Sequence, residues 1–463
     1  MRFKTTIILL IIFIIALAGV LLIENKSKAV KEEKEKLDML TDLKISDIEK
    51  LQLTSSDQSS ITIKKDEQGN WQIIEPLMTE ADSYEVNNLV ETLASLRIEH
   101  VVDDQPADLK EYGFNQQEIK IWLKGQSEPL VILTGMENPL DGTLYAKRAD
   151  ETRVVLLPGY LKNSLDKKLF DLRSKEIVKF DPDKVQIIEL NSKDIVWKLI
   201  KKEENWHFIN PIEALASTSQ IDSILSNLST IKAKNFLAEE KRPEDLKASG
   251  LDRPQYTIKL ILADGQELAI NLNKKEEKLL ATSSQLAKIV EVEAQLVNNV
   301  ARPVSELREK KVALFNSWEA ISLAIKKGDK FFEARKEKSG EKGQEQEEWY
   351  LLTDGGQKEL ADSSKVESFL RNLEYLQAVD FIDRPGDLKK YGLDKPEYEI
   401  TVKAKSEDDK EKIINLVFGQ KLEGKNQLAV RNSDFNYLFL IESSALTSWP
   451  AGPEDFKTVE IKS

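Results

Sequence analysis

The chain has no cysteine and only two histidines, His100 and His207, in 463 residues. Without cysteine there is no disulfide, no thiol nucleophile, no iron–sulfur cluster, no Cys-based zinc site and no lipidated lipobox. The absence fits any compartment and fixes no address. The two histidines stand alone, with no H-x-x-x-H or H-E-x-x-H spacing, and no G-x-S-x-G elbow accompanies them. Surface or packing roles are expected for both. A basic excess is missing too: 67 Lys and Arg face 80 Asp and Glu, a net charge of −13. That argues against a nucleic-acid partner, which wants a basic patch. With so many acids, paired carboxylates arise by accident, and the acidic balance reads first as solvated surface.

What is present begins with an apolar run. Arg2 and Lys4 precede Ile7 to Ile23, broken only by Gly19. At about 1.5 Å per residue, a helix over 5–23 just reaches across a hydrocarbon core of about 30 Å. Ala16-Leu-Ala18 offers a signal-peptidase site, but apolar residues continue past it, which favours an uncleaved anchor over 1–24. Lys26, Lys28, Lys31, Lys34 and Lys36 follow the run and count against export of what comes after. The order of basic tip and then apolar run at the extreme N-terminus decides for an extracytoplasmic, periplasmic domain on a single-pass inner-membrane anchor. Glu and Lys interleave over 25–42 as a charged helical stalk.

The rest is organised by a short stretch that occurs three times: Pro106-Ala-Asp108-Leu109-Lys110-Glu-Tyr112-Gly113, Pro243-Glu-Asp245-Leu246-Lys247-Ala-Ser249-Gly250 and Pro385-Gly-Asp387-Leu388-Lys389-Lys-Tyr391-Gly392. The glycines are 137 and 142 residues apart. Five matched positions at this spacing mark a triplicated module. Asp is suited to an N-cap or first turn, Leu to a core, and Gly to the left-handed residue that ends a short helix. A capping Asp explains the repetition more simply than a catalytic or ligand carboxylate. An alternating strand follows each copy, as in Ile119, Ile121 and Leu123.

Around this stretch the modules run over 43–178, 179–313 and 314–463. Each has opening strands, a tryptophan (Trp71, Trp206, Trp349), a helix with apolar residues at helical spacing, the repeated stretch and further strands. Trp-to-Gly distances are 42, 44 and 43 residues. The tryptophans sit in alternating strands and read as core anchors rather than a sugar-stacking set. Ala81-Asp82-Ser83 and Ala361-Asp362-Ser363 start the first and third helices, whereas module 2 has Ser217. Leu172-Arg173 and Leu307-Arg308 close modules 1 and 2, and in module 3 a segment through Trp449-Pro450 replaces the closing helix. A turn carrying Gly135 and Gly142 is expected in module 1. An insert between Phe332 and Glu348 reads as a solvated loop. Gly419-Gln-Lys-Leu-Glu-Gly424-Lys425-Asn426 resembles a phosphate-binding loop, but Asn426 replaces the hydroxyl and a strand follows where a helix is required, so it reads as a hairpin turn.

The combination Trp71…Pro76…Ala81-Asp82, Asp108-Leu109…Tyr112-Gly113-Phe114 and Leu172-Arg173, echoed by Trp349…Asp362…Tyr391-Gly392-Leu393…Pro396, resembles the bacterial family known as domain of unknown function 4340. The resemblance implies a membrane-anchored extracytoplasmic companion of an ABC-2-type permease, similar in setting to gliding-motility auxiliary components. It carries no catalytic residues with it. The fold expected is α+β: three modules, each a largely antiparallel sheet with one longer helix and a short motif helix. No cofactor, metal ligand or catalytic residue is assigned. A non-enzymatic accessory protein is the leading expectation. An envelope protein that binds glycan or peptide is the alternative, and a carboxylate-based glycan enzyme is the third.

Overall fold

The structure is a computed structural model and describes residues 39–55, 57–114, 117–339, 346–353, 358–405 and 410–458. The anchor and nearly all of the stalk lie outside these residues, and no described helix is long and apolar enough to cross a membrane. The chain divides into two compact units, Met1–Lys175 and Glu176–Ser463.

The first unit shows the plan. Its strands are β1 (Ile48–Ser55), β2 (Ser60–Lys65), β3 (Trp71–Glu75), β4 (Thr79–Glu80), β5 (His100–Asp103), β6 (Gln117–Leu123), β7 (Leu130–Glu137), β8 (Leu144–Arg148) and β9 (Val154–Leu157). They form one antiparallel sheet in the order β4-β3-β2-β1-β6-β7-β8-β9-β5. Two four-stranded meanders, β1 to β4 and β6 to β9, thus meet at the β1·β6 pair, where Leu51 faces Ile121 and Leu53 faces Ile119. The long helix, Ser83–Ala94, carries the chain from the β4 edge to the opposite edge, where β5 joins. Both edge strands are short, which limits exposed pairing groups.

The helix forms because Val86, Leu89, Val90 and Leu93 line one face and are buried against Ile48, Leu51 and Leu53. The Asp82 carboxylate starts it by accepting from Tyr84 N at 3.1 Å and Glu85 N at 3.2 Å. The Asp82 backbone N–H donates in turn to Leu172 O at 2.8 Å, so the closing segment is tied to the helix start.

The second unit holds two more nine-stranded sheets with the same strand order, spanning 185–292 and 320–442. One hydrophobic cluster runs from Ile177 to Phe456 through both, and Ile177 and Val178 belong to it. The long helices are Thr218–Ser229 and Ser363–Glu374. Ser217 N donates to Leu307 O and Asp362 N to Phe456 O, so Phe456 stands in module 3 where Leu172 and Leu307 stand in the others. Strands outnumber helices more than the α+β expectation implied, because each module adds edge strands such as β5 whose short, exposed pattern carries no periodic signal.

Two local expectations are corrected. Gly135 lies inside β7, and the turn is 138–143. The insert after Phe332 is largely a lengthened hairpin: Lys330–Ser339 pairs with Gln346–Thr353 down to Ser339 opposite Gln346. Its alternating Glu and Lys place charges on the exposed strand faces, as in the Arg335–Glu333 pair at 2.7 Å.

Candidate functional site

The repeated stretch docks on its own sheet in each module. Leu109–Tyr112 and Leu388–Tyr391 are single 3-10 turns, capped by Asp108 accepting from Lys110 N at 2.9 Å and Asp387 from Lys389 N at 3.1 Å. Copy two differs. Pro243 at the first helical position starts a seven-residue helix earlier, Arg242 takes the cap position, and Asp245 pairs with Arg242 Nε at 2.7 Å instead of capping. Gly113, Gly250 and Gly392 all end the turn in the left-handed region, at φ 63°, 73° and 67°.

The repeated leucines lie off the main core, two of them on small apolar clusters of their own. Leu109 is 40% exposed, and Leu246 and Leu388 are half-buried. The long helix already covers one face of the sheet, so the one-turn motif lies on the other. Leu246 packs there on Leu251, Leu280 and Ile289, and Leu388 on Ala429, Leu438 and Leu440.

What holds the motif down was not legible beforehand. A Cβ on Gly135 would lie 2.1 Å from Tyr112 O, and one on Gly419 2.0 Å from Tyr391 O. These glycines let the motif carbonyl rest directly on the strand. Strand pairing puts Asn273 at the same position in module 2, where its Nδ2 donates to Ser249 O at 2.8 Å. Gly419, part of the phosphate-loop look-alike, is therefore a docking position within strand Glu411–Lys421, and the turn proper is 422–426.

Trp71, Trp206 and Trp349 are 4%, 1% and 1% exposed. Each faces a lysine across its strand pair: Lys65, Lys201 and Lys336, with ammonium groups 4.8, 6.0 and 5.4 Å from the ring centroids. Trp71 Nε1 also donates to Asn87 Oδ1 at 3.0 Å. No ring face among the three is presented to solvent.

Arg308, which closes module 2, reaches into module 3. It is 3% exposed, its guanidinium lies 3.7 Å from the Phe381 ring centroid and 4.4 Å from that of Tyr437, and Nη1 donates to Asp383 Oδ1 at 2.5 Å. Burial pushes the pKa of the Tyr437 phenol above its ordinary value, partly opposed by the nearby Arg308 charge. Beside this junction a cavity of about 240 Å³ is lined by His207, Glu213, Asp434 and Tyr437 among others. Burial, then the charge of Lys202, holds the His207 pKa below its usual range. His100 is exposed on β5.

Three further cavities differ in chemistry. One of about 320 Å³ in module 1 has the Lys162–Glu137 pair at 2.8 Å on its rim and Gln117, whose Nε2 donates to Leu165 O, in its wall. One of about 370 Å³ in module 2 has Leu280 and Ile289 as floor and Lys275, Glu276 and Lys278 around it. The largest, about 650 Å³, lies in module 3 between the long helix and the closing segment. Among the described residues, no group of three or more His, Asp or Glu is placed to hold a metal ion.

No curated protein sequence matches the chain. Among solved structures, the crystal structure of the DNA polymerase III subunit beta from Pseudomonas aeruginosa aligns at 9% identity over 74% of this chain and 90% of that one. Its TM-score of 0.13 carries no argument about fold or function. The family model described as a domain of unknown function, DUF4340, matches residues 71–214, 206–396 and 349–462, each match beginning on a module tryptophan. Together the three matches span most of the sequence, and the chain belongs to the DUF4340 family.

Proposed function

We propose that this chain is a membrane-anchored, extracytoplasmic, non-enzymatic accessory protein of an ABC-type transport system. The observation that carries the reading is the order of the chain: basic tip, apolar run over 7–23, charged stretch, then three serial copies of one module. The side chains the modules share support it. Asp82 and Asp362 cap long helices, Asp108 and Asp387 cap motif turns, and the tryptophans fill cores, so the repeated groups are spent on building a surface. Attachment to a permease rests on the family resemblance. Affinity isolation of the full-length protein in mild detergent tests it. Recovery of a membrane permease in near-equal amount is the expected result, and repeated clean recovery without one contradicts it.

A further inference from the structure

The three modules treat one groove differently. It runs between the long helix and the closing segment. In module 1 it is bridged by Lys167 Nζ to Glu85 Oε2 at 2.9 Å. In module 2 it is bridged twice, by Arg302 Nη1 to Gln220 Oε1 at 2.5 Å and by Asn299 Nδ2 to Asn227 Oδ1 at 2.9 Å. Glu85 and Gln220 are the third residues of their helices, and Lys365 is the third in module 3. Lys167 and Arg302 stand five residues before Leu172 and Leu307, and five before Phe456 stands Ala451. Asn299 is matched in the same way by Ser448. Module 3 thus lacks both closing-segment side chains that make these bridges; Lys365 reaches only the backbone of Lys457, and the groove beside it is a cavity of about 650 Å³.

We propose that this groove binds a neutral saccharide. The charged groups in its wall are already engaged. Lys365 Nζ donates to Lys457 O at 2.8 Å, the Asp455 carboxylate accepts from Ala451 N at 2.7 Å, and Asp362 caps the helix. What the groove offers is uncharged: Ser364, Ser368 and Asn372 on the helix side, Thr447 and Ser448 opposite. None of these five side chains is taken up by a hydrogen bond among the described residues. Hydroxyls and an amide both donate and accept, which matches sugar hydroxyls, and neutral lips bind them without desolvating a charge. The floor is the small exposed part of Trp449, Phe369 and Phe456, which are 8%, 5% and 3% exposed, with Phe369 held edge-on to Trp449 at 5.2 Å and to Phe456 at 5.9 Å. A rigid aromatic floor under polar lips fits a ring with one apolar face and hydroxyls at its edge. The groove stands apart from the accessory role: recovery of a permease and binding of sugar succeed or fail independently.

The test is calorimetry on full-length protein in a detergent without a sugar headgroup. The probes are neutral hexasaccharides of glucose (α- and β-linked), xylose, mannose and N-acetylglucosamine, with hexagalacturonate as the charged control. The expected result is a Kd of about 1 mM or tighter for at least one neutral probe. Filling of the groove is tested by the double variant Ala451→Arg with Lys365→Gln, which restores the module 2 bridge. It is expected to weaken binding at least about tenfold without lowering the unfolding temperature. Asn372→Ala, at an exposed helix position, is expected to weaken binding in the same direction. Three results overturn the proposal: no neutral probe binding at about 1 mM, binding by the charged control alone, or binding unchanged in both variants.

Discussion

Gly419→Ala is the sharpest perturbation of the module. The added Cβ would sit 2.0 Å from Tyr391 O, and real Cβ contacts essentially never fall under 3.0 Å, so strand and motif must separate by about 1 Å. The backbone cannot rotate the carbonyl away cheaply, because Gly392 N donates to Lys389 O and Leu393 N to Leu388 O within the same turn. Retreat of the motif lifts Leu388, Tyr391 and Leu393 off Ala429, Leu438 and Leu440. Overpacking of this kind costs about 1–3 kcal/mol. Gly386→Ala serves as control: its φ is +58° but a Cβ there meets nothing within 4 Å, so only backbone strain of about 1 kcal/mol is added. Urea unfolding gives the two losses, and amide exchange over 388–393 locates the first. A Gly419→Ala loss below about 0.5 kcal/mol, or exchange that speeds up everywhere equally, would refute the docking argument.

Other outcomes follow from the same geometry. Asp82→Ala is expected to cost about 1 kcal/mol in urea unfolding, and Ser217→Ala close to nothing, because Ser217 makes no capping bond at the equivalent position; equal losses would contradict the cap assignment. Arg308→Met is expected to cost about 2 kcal/mol, mostly from the two ring contacts, since Asp383 is 43% exposed. In a double-mutant cycle with Asp383→Asn most of that loss should remain, and its disappearance would assign the energy to the ion pair. The depressed His207 pKa means that the unfolded chain takes up a proton before the folded one. Stability should therefore be full above about pH 6.5 and fall as pH drops below it. His207→Gln should flatten that fall, and an unchanged profile would be the contrary result.

The sequence makes legible whatever a single segment dictates. Asp82 before an apolar 3.6-residue rhythm marks a helix, and Asp108…Gly113 marks a capped turn, because caps and left-handed residues are local demands. The alternating strands and the threefold repeat are read in the same way. What joins distant residues is not. Gly135 and Gly419 look like turn glycines until the carbonyl above them is known. Asn273 looks like degeneration of the repeat, although it answers the same carbonyl by a hydrogen bond. The lysines over Trp71, Trp206 and Trp349 depend on strand register, and the Arg308 contacts depend on packing between modules 2 and 3. The module 3 groove emerges only when three copies are compared, since Ala451 alone signals nothing.

The central claim, an anchored protein that works outside the cytoplasm, is tested most directly by topology. Reporters active only outside or only inside the cytoplasm are fused after Ser463 of the full-length chain, and the retained N-terminus is read by mass. The account predicts activity of the outside reporter with residues 1–24 still attached. A C-terminus that reports from the cytoplasm would contradict it, and would mean that Lys26 to Lys36 governed insertion.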